Sequence, residues 1–105
     1  MKLTRYGQIY DVKPMFGMYG NGRLAMKLVE PDLSVFGIVT VNLVDEQPTD
    51  DLCAFIDTNN LGEDIVPWLE QNGLGETTNN FAQSGFCVYP EFRFKKEAVA
   101  KYSPQ

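Results

Sequence analysis

Carboxylates are the residues of this chain best placed to do chemistry, and twelve of the fourteen fall in one stretch that holds no lysine or arginine. Between residues 28 and 92 stand Glu30, Asp32, Asp45, Glu46, Asp50, Asp51, Asp57, Glu63, Asp64, Glu70, Glu76 and Glu91. The basic groups lie outside it. Lys2, Arg5, Lys13, Arg23 and Lys27 face only Asp11 at one end, and Arg93, Lys95, Lys96 and Lys101 face only Glu97 at the other. The net charge of −5 therefore conceals basic ends around an acidic middle. Paired carboxylates can hydrolyse glycosides or hold magnesium through hard oxygen ligands. Acids two apart on one strand face also stand about 6.8 Å from each other, similar to phosphates along a DNA strand. Such a surface is steered toward a basic protein groove and competes with nucleic acid for it.

Other chemistries lack their parts. The chain has no histidine, the commonest general base and the usual partner of a nucleophilic cysteine. Cys53 and Cys87 stand 34 positions apart and cannot compose a zinc set, which wants four clustered ligands, so they read as free, buried thiols. Gly17, Gly20 and Gly22 before Arg23 have neither the order of a dinucleotide loop nor the Gly-Lys-Ser/Thr ending of a triphosphate loop, which leaves turn glycines. Phe81, Phe86, Tyr89, Phe92 and Phe94 read as core and hairpin-packing residues, because the acids around them repel a phosphate backbone that base stacking would require. No catalytic residue, metal ligand or cofactor is expected, and direct nucleic-acid binding is disfavoured. The candidate partner-binding set is Asp45, Glu46, Asp50 and Asp51 in a loop after a strand, with Asp57, Glu63 and Asp64 at a helix start. The expected partner is a basic protein surface. Against this stand two plain alternatives: the basic ends fold back and neutralise the acids, or Glu63 and Asp64 merely cap a helix.

The elements that position these groups point to an α+β fold in a single domain, 1–105, for which the length and 44% apolar content suffice. An antiparallel sheet of about four to six strands is expected, with one main helix over about 62–72. Residues 24–29 and 35–43 alternate as a hairpin, and Cys53-Ala54-Phe55-Ile56 makes a further strand. Gly73 is the expected left-handed stop of the helix, and Pro67 should kink or shorten it. Residues 75–85 carry no periodicity and read as an ordered loop. Two short strands, 86–89 and 91–94, should be broken at Pro90. A short helix over 95–102 can close the chain. No apolar run reaches the roughly 18 residues needed to span a bilayer, and the first residues lack the apolar core of a secretory signal, so a cytoplasmic location is expected.

Five segments carry a resemblance. Tyr19-Gly20-Asn21-Gly22-Arg23-Leu24-Ala25, Val39-Thr40-Val41-Asn42-Leu43, Ala54-Phe55-Ile56-Asp57-Thr58-Asn59-Asn60, Asn72-Gly73-Leu74-Gly75 and Ser84-Gly85-Phe86-Cys87-Val88-Tyr89-Pro90 occur in that order. Together they resemble a family of small proteins of unknown function found on bacterial mobile genetic elements, over about residues 6–94. The resemblance supplies no catalytic residues. Proteins of this size, acidity and setting include anti-CRISPR proteins, and the chain is similar to inhibitors of the Cas9 type. This implies a guide-RNA-loaded Cas9-type nuclease as partner, whose charged channels an acidic protein can occupy as a DNA mimic. Two further functions remain open: an accessory protein of plasmid or phage maintenance that binds another protein, and a carboxylate-dependent magnesium enzyme.

Overall fold

The computed structural model describes residues 1–104 and is α+β, with nine strands in three antiparallel sheets. β1 (Lys2–Arg5) and β2 (Gln8–Asp11) form a hairpin. β3 (Lys13–Met18), β4 (Leu24–Val29) and β5 (Val35–Ile38) form the second sheet in that order. The third sheet runs β6 (Thr40–Val41), β7 (Cys53–Ile56), β9 (Cys87–Phe94) and β8 (Gly75–Ser84). Three short helices complete it: α1 (Thr58–Leu61), α2 (Ile65–Gln71) and α3 (Lys96–Lys101). The strands are thus spread over three small sheets rather than one, and the first 18 residues, to which the sequence assigned no strand, supply three of them; Gly17, expected in a turn, pairs with Ala25 inside β3 instead.

One core joins the sheets. Leu3 of β1, Phe16 of β3, Met26 and Leu28 of β4, Ile56 of β7, Leu69 of α2 and Phe92 and Phe94 of β9 are all buried in it. Phe94 sits at its centre, edge-on to Phe16 at 5.1 Å and to Phe92 at 4.9 Å, the arrangement that aromatic quadrupoles favour. None of the described helices is long and apolar enough to cross a membrane.

Four expectations for the strands and their aromatic residues change. The run 35–43 does pair with β4, but only as far as Ile38. At Val39 the chain passes between sheets: its N–H donates to Met26 O at 2.9 Å, and its carbonyl accepts from Asp57 N at 2.8 Å. A buried residue bonded on both sides can serve two sheets, which alternation cannot reveal. Residues 75–84 are not a loop but the longest strand. β8 lies at a sheet edge and buries only Ala82 among its side chains, so it carries no apolar period to read. Its partner β9 is continuous through Pro90, because pairing with β7 covers only residues 91–93 and the β8 register shifts between Thr77 and Phe81, beside the proline. Phe81 and Phe86 are exposed, not core.

The main helix is α2, and it starts at Ile65 rather than at 62. Pro67 therefore falls in its first turn, where backbone N–H groups have no partner within the helix, and it causes no break. The helix stops where expected. Gly73 adopts φ +72°, with Gly73 N donating to Glu70 O at 3.0 Å and Leu74 N to Leu69 O at 3.1 Å. Those two bonds form the Schellman pair that satisfies the last carbonyls.

Candidate functional site

The candidate acids divide between the two ends of β7. Asp45, Glu46, Asp50 and Asp51 belong to the loop that enters β7, whereas Asp57, Glu63 and Asp64 follow its far end, around α1 and α2. They do not form one surface.

Three of the seven are engaged by the fold. Asp57 caps α1, accepting from Asn60 N at 3.3 Å and Asn60 Nδ2 at 2.7 Å. Asp64 occupies the cap position of α2 without making a cap bond, and instead meets Arg5 Nη1 at 3.0 Å. Arg5 also donates to Thr4 O and Leu61 O, which ties the β1–β2 hairpin to α1. Asp50 accepts from Leu52 N at 2.9 Å and from Arg93 Nε and Nη2 at 3.1 and 3.0 Å. The Leu52 amide, a contact with Cys53 and the Arg93 guanidinium hold the Asp50 carboxyl below its ordinary range. The basic ends thus return to the acidic middle at Arg5 and Arg93. Asp45, Glu46, Asp51 and Glu63 make no ion pair or side-chain hydrogen bond among the described residues, and all four are exposed.

The loop that carries three of those free acids is pinned from beneath by Glu91, which the sequence reading counted but did not single out. Glu91 is 2% exposed and makes no ion pair among the described residues. Its Oε2 accepts from Thr49 N at 2.8 Å, and its Oε1 from Thr49 Oγ1 and Thr78 Oγ1, both at 2.7 Å, with Asn80 Nδ2 at 3.4 Å. Burial works to raise its pKa, but the donors from Thr49, Thr78 and Asn80 outweigh it and hold the carboxyl below the ordinary range. The β8 bulge brings Thr78 and Asn80 to this position. A lone acid in the apolar run Val88-Tyr89-Pro90-Glu91-Phe92, facing a Thr- and Asn-rich segment, was the available signal.

A second pin comes from Arg23, whose guanidinium donates to Leu43 O and to Val44 O. It closes the loop's first end and so serves as a loop clamp. With Arg93 on Asp50, the loop is fixed at its start, at Thr49 and at its exit. Asp45, Glu46 and Asp51 are therefore displayed from an ordered segment.

The remaining chemistry is sparse. No group of three or more His, Cys, Asp or Glu that could hold a metal comes together among the described residues. Asp11-Val12-Lys13 has the acid–spacer–lysine order used by some metal-dependent nucleases, but Asp11 is paired with the Met1 amine at 3.4 Å and Lys2 Nζ at 3.6 Å. Cys53 and Cys87 are both free. Cys53 pairs with Arg93 across the sheet, which places Cys87 six residues, or about 20 Å, further along β9. Cys53 is buried as expected, while Cys87 is half-buried.

Residues 15–105 match a family described as a domain of unknown function, DUF4313, and the chain belongs to it. No curated protein and no solved structure matches the chain.

Proposed function

We propose that this DUF4313 protein is an acidic protein-binding inhibitor of mobile-element origin, and that its β6–β7 loop offers Asp45, Glu46 and Asp51 to a basic protein surface. A guide-RNA-loaded nuclease of the Cas9 type is the surface to test first, because it holds nucleic acid in positively charged channels. The observation that supports this reading is the anchoring of the loop by Glu91, Arg23 and Arg93 while three of its acids stay unpaired. A loop ordered before binding loses little conformational entropy on docking, and exposed like charges speed encounter with an opposite surface.

The test is a cleavage titration. The purified protein is expected to co-elute with the guide-loaded nuclease and to lower its DNA cleavage, with an effect that fades as salt rises. The combined changes Asp45→Asn, Glu46→Gln and Asp51→Asn should weaken inhibition at least tenfold. Full cleavage in low salt with excess protein would refute the nuclease as target. Wild-type potency in the triple variant would clear the loop.

A further inference from the structure

A second surface lies at the other end of the third sheet. Side chains two apart share a strand face, so Phe94, Phe92, Pro90 and Val88 line one face of β9. Phe94 and Phe92 lie in the core, but the cover ends there. Val88 is 50% exposed, and Phe81, which faces Pro90 across the strands, is 68% exposed. Phe86 in the turn at the tip is fully exposed. Between this open end of the hairpin and the start of α2 runs a groove of about 440 Å³, with Val66, Phe81, Val88 and Pro90 among its walls. Among the described residues, Glu63 is the one charged group that lines it. Contiguous exposed apolar side chains with a polar rim, here Thr58, Thr77, Asn79 and Asn80 with Glu63, are the composition of an interaction site.

We propose that this groove receives an extended segment of a partner protein that carries apolar side chains next to lysine or arginine. The apolar walls select the first and Glu63 the second. β8 forms the outer edge of its sheet, so its backbone is available to an extended chain lying along the groove. A second copy of this protein is the competing occupant, and the test below distinguishes it. The inference does not depend on the loop acids at the far end of β7.

The probe is a synthetic dodecapeptide of alternating Leu and Lys, titrated into the isotope-labelled full chain and followed by amide chemical shifts. Shifts confined to Glu63, Val66, residues 77–83 and residues 86–89 are expected. Peptides alternating Ser with Lys, or Leu with Glu, should bind at least tenfold more weakly. Phe81→Ser with Val88→Thr, and separately Glu63→Lys, should each lower affinity for the Leu/Lys peptide at least tenfold. All three sites are exposed and line the groove, and unchanged melting of each variant checks the fold. The triple loop variant should bind this peptide as the wild type does, which separates the groove from the loop. The proposal is overturned if the Leu/Lys peptide leaves the groove amides unmoved, if the Ser/Lys peptide binds equally well, or if light scattering shows a dimer that Phe81→Ser with Val88→Thr converts to monomer.

Discussion

Glu91 shows how a charge can be buried without a countercharge. Two hydroxyls, a backbone N–H and a side-chain amide surround it, and together they favour the ionised form despite burial. Glu91→Ala should cost about 1–3 kcal/mol, because it removes the charge-assisted hydrogen bonds by which the buried carboxylate joins Thr49 to Thr78. The pH dependence has a definite sign. A carboxyl with a lowered folded pKa contributes stability above its unfolded value, and that contribution is lost as pH falls through the folded value. Denaturant unfolding of the wild type should therefore weaken below about pH 4.5, the ordinary value for Glu, and more steeply than that of Glu91→Gln. Equal slopes for the two proteins would refute the account. The thiols give a second residue-level expectation. Burial, and then Asp50, push the Cys53 thiol up to about 11, so its reactive thiolate is scarce at neutral pH. In the native protein, iodoacetamide should label the half-buried Cys87 before Cys53, and both should react in denaturant, as mass spectrometry can show.

At the level of elements, the legible parts of the fold were those with a local signature. Cys53-Ala54-Phe55-Ile56 is buried throughout and is a strand, and Gly73 ends α2 as its sequence position suggests. β8 was not legible, because its order comes from hydrogen bonds to β9 and from Thr and Asn contacts with Glu91, and only Ala82 among its side chains is buried. The crossing at Val39 was not legible either, since it depends on Met26 and Asp57, remote in sequence. The two glycines that flank Leu74 separate local from tertiary constraint. Gly73→Ala places a Cβ in open space but in left-handed backbone, which should cost about 1–2 kcal/mol. A Cβ at Gly75 would lie 2.1 Å from Arg93 O, part of the adjacent strand backbone. Gly75→Ala should therefore destabilise far more than Gly73→Ala in thermal melts, and a reversed order would mean that β8 and β9 can part easily.

For the whole molecule, the segregated charge of the sequence proves to have two uses, which no one-dimensional map can separate. Arg5 and Arg93 reach back from the basic ends to Asp64 and Asp50, and Asp57 turns inward to cap α1, so these acids hold the fold. Asp45, Glu46, Asp51 and Glu63 hold nothing and remain for solvent or a partner. The sequence identified all seven as candidates because acidity and loop position are visible in it, but pairing over 43 or 59 residues is not. This division predicts opposite phenotypes. Asp57→Ala removes a helix cap, worth about 1 kcal/mol, and in a domain of this size should lower the melting temperature by about 4–8 °C. Arg5→Ala should cost more than Asp64→Ala, because it also strips a donor from the half-buried Leu61 carbonyl, whereas the exposed pair itself is worth about 0.2–1 kcal/mol. Neutralising Asp45, Glu46 and Asp51 together should leave the melt nearly unmoved, or raise it slightly as like charges are removed, while association with a basic partner slows and loses its salt dependence. Melting curves and association rates measured on the same four variants check the division directly. A triple variant that melts early would show that the loop acids, too, serve the fold.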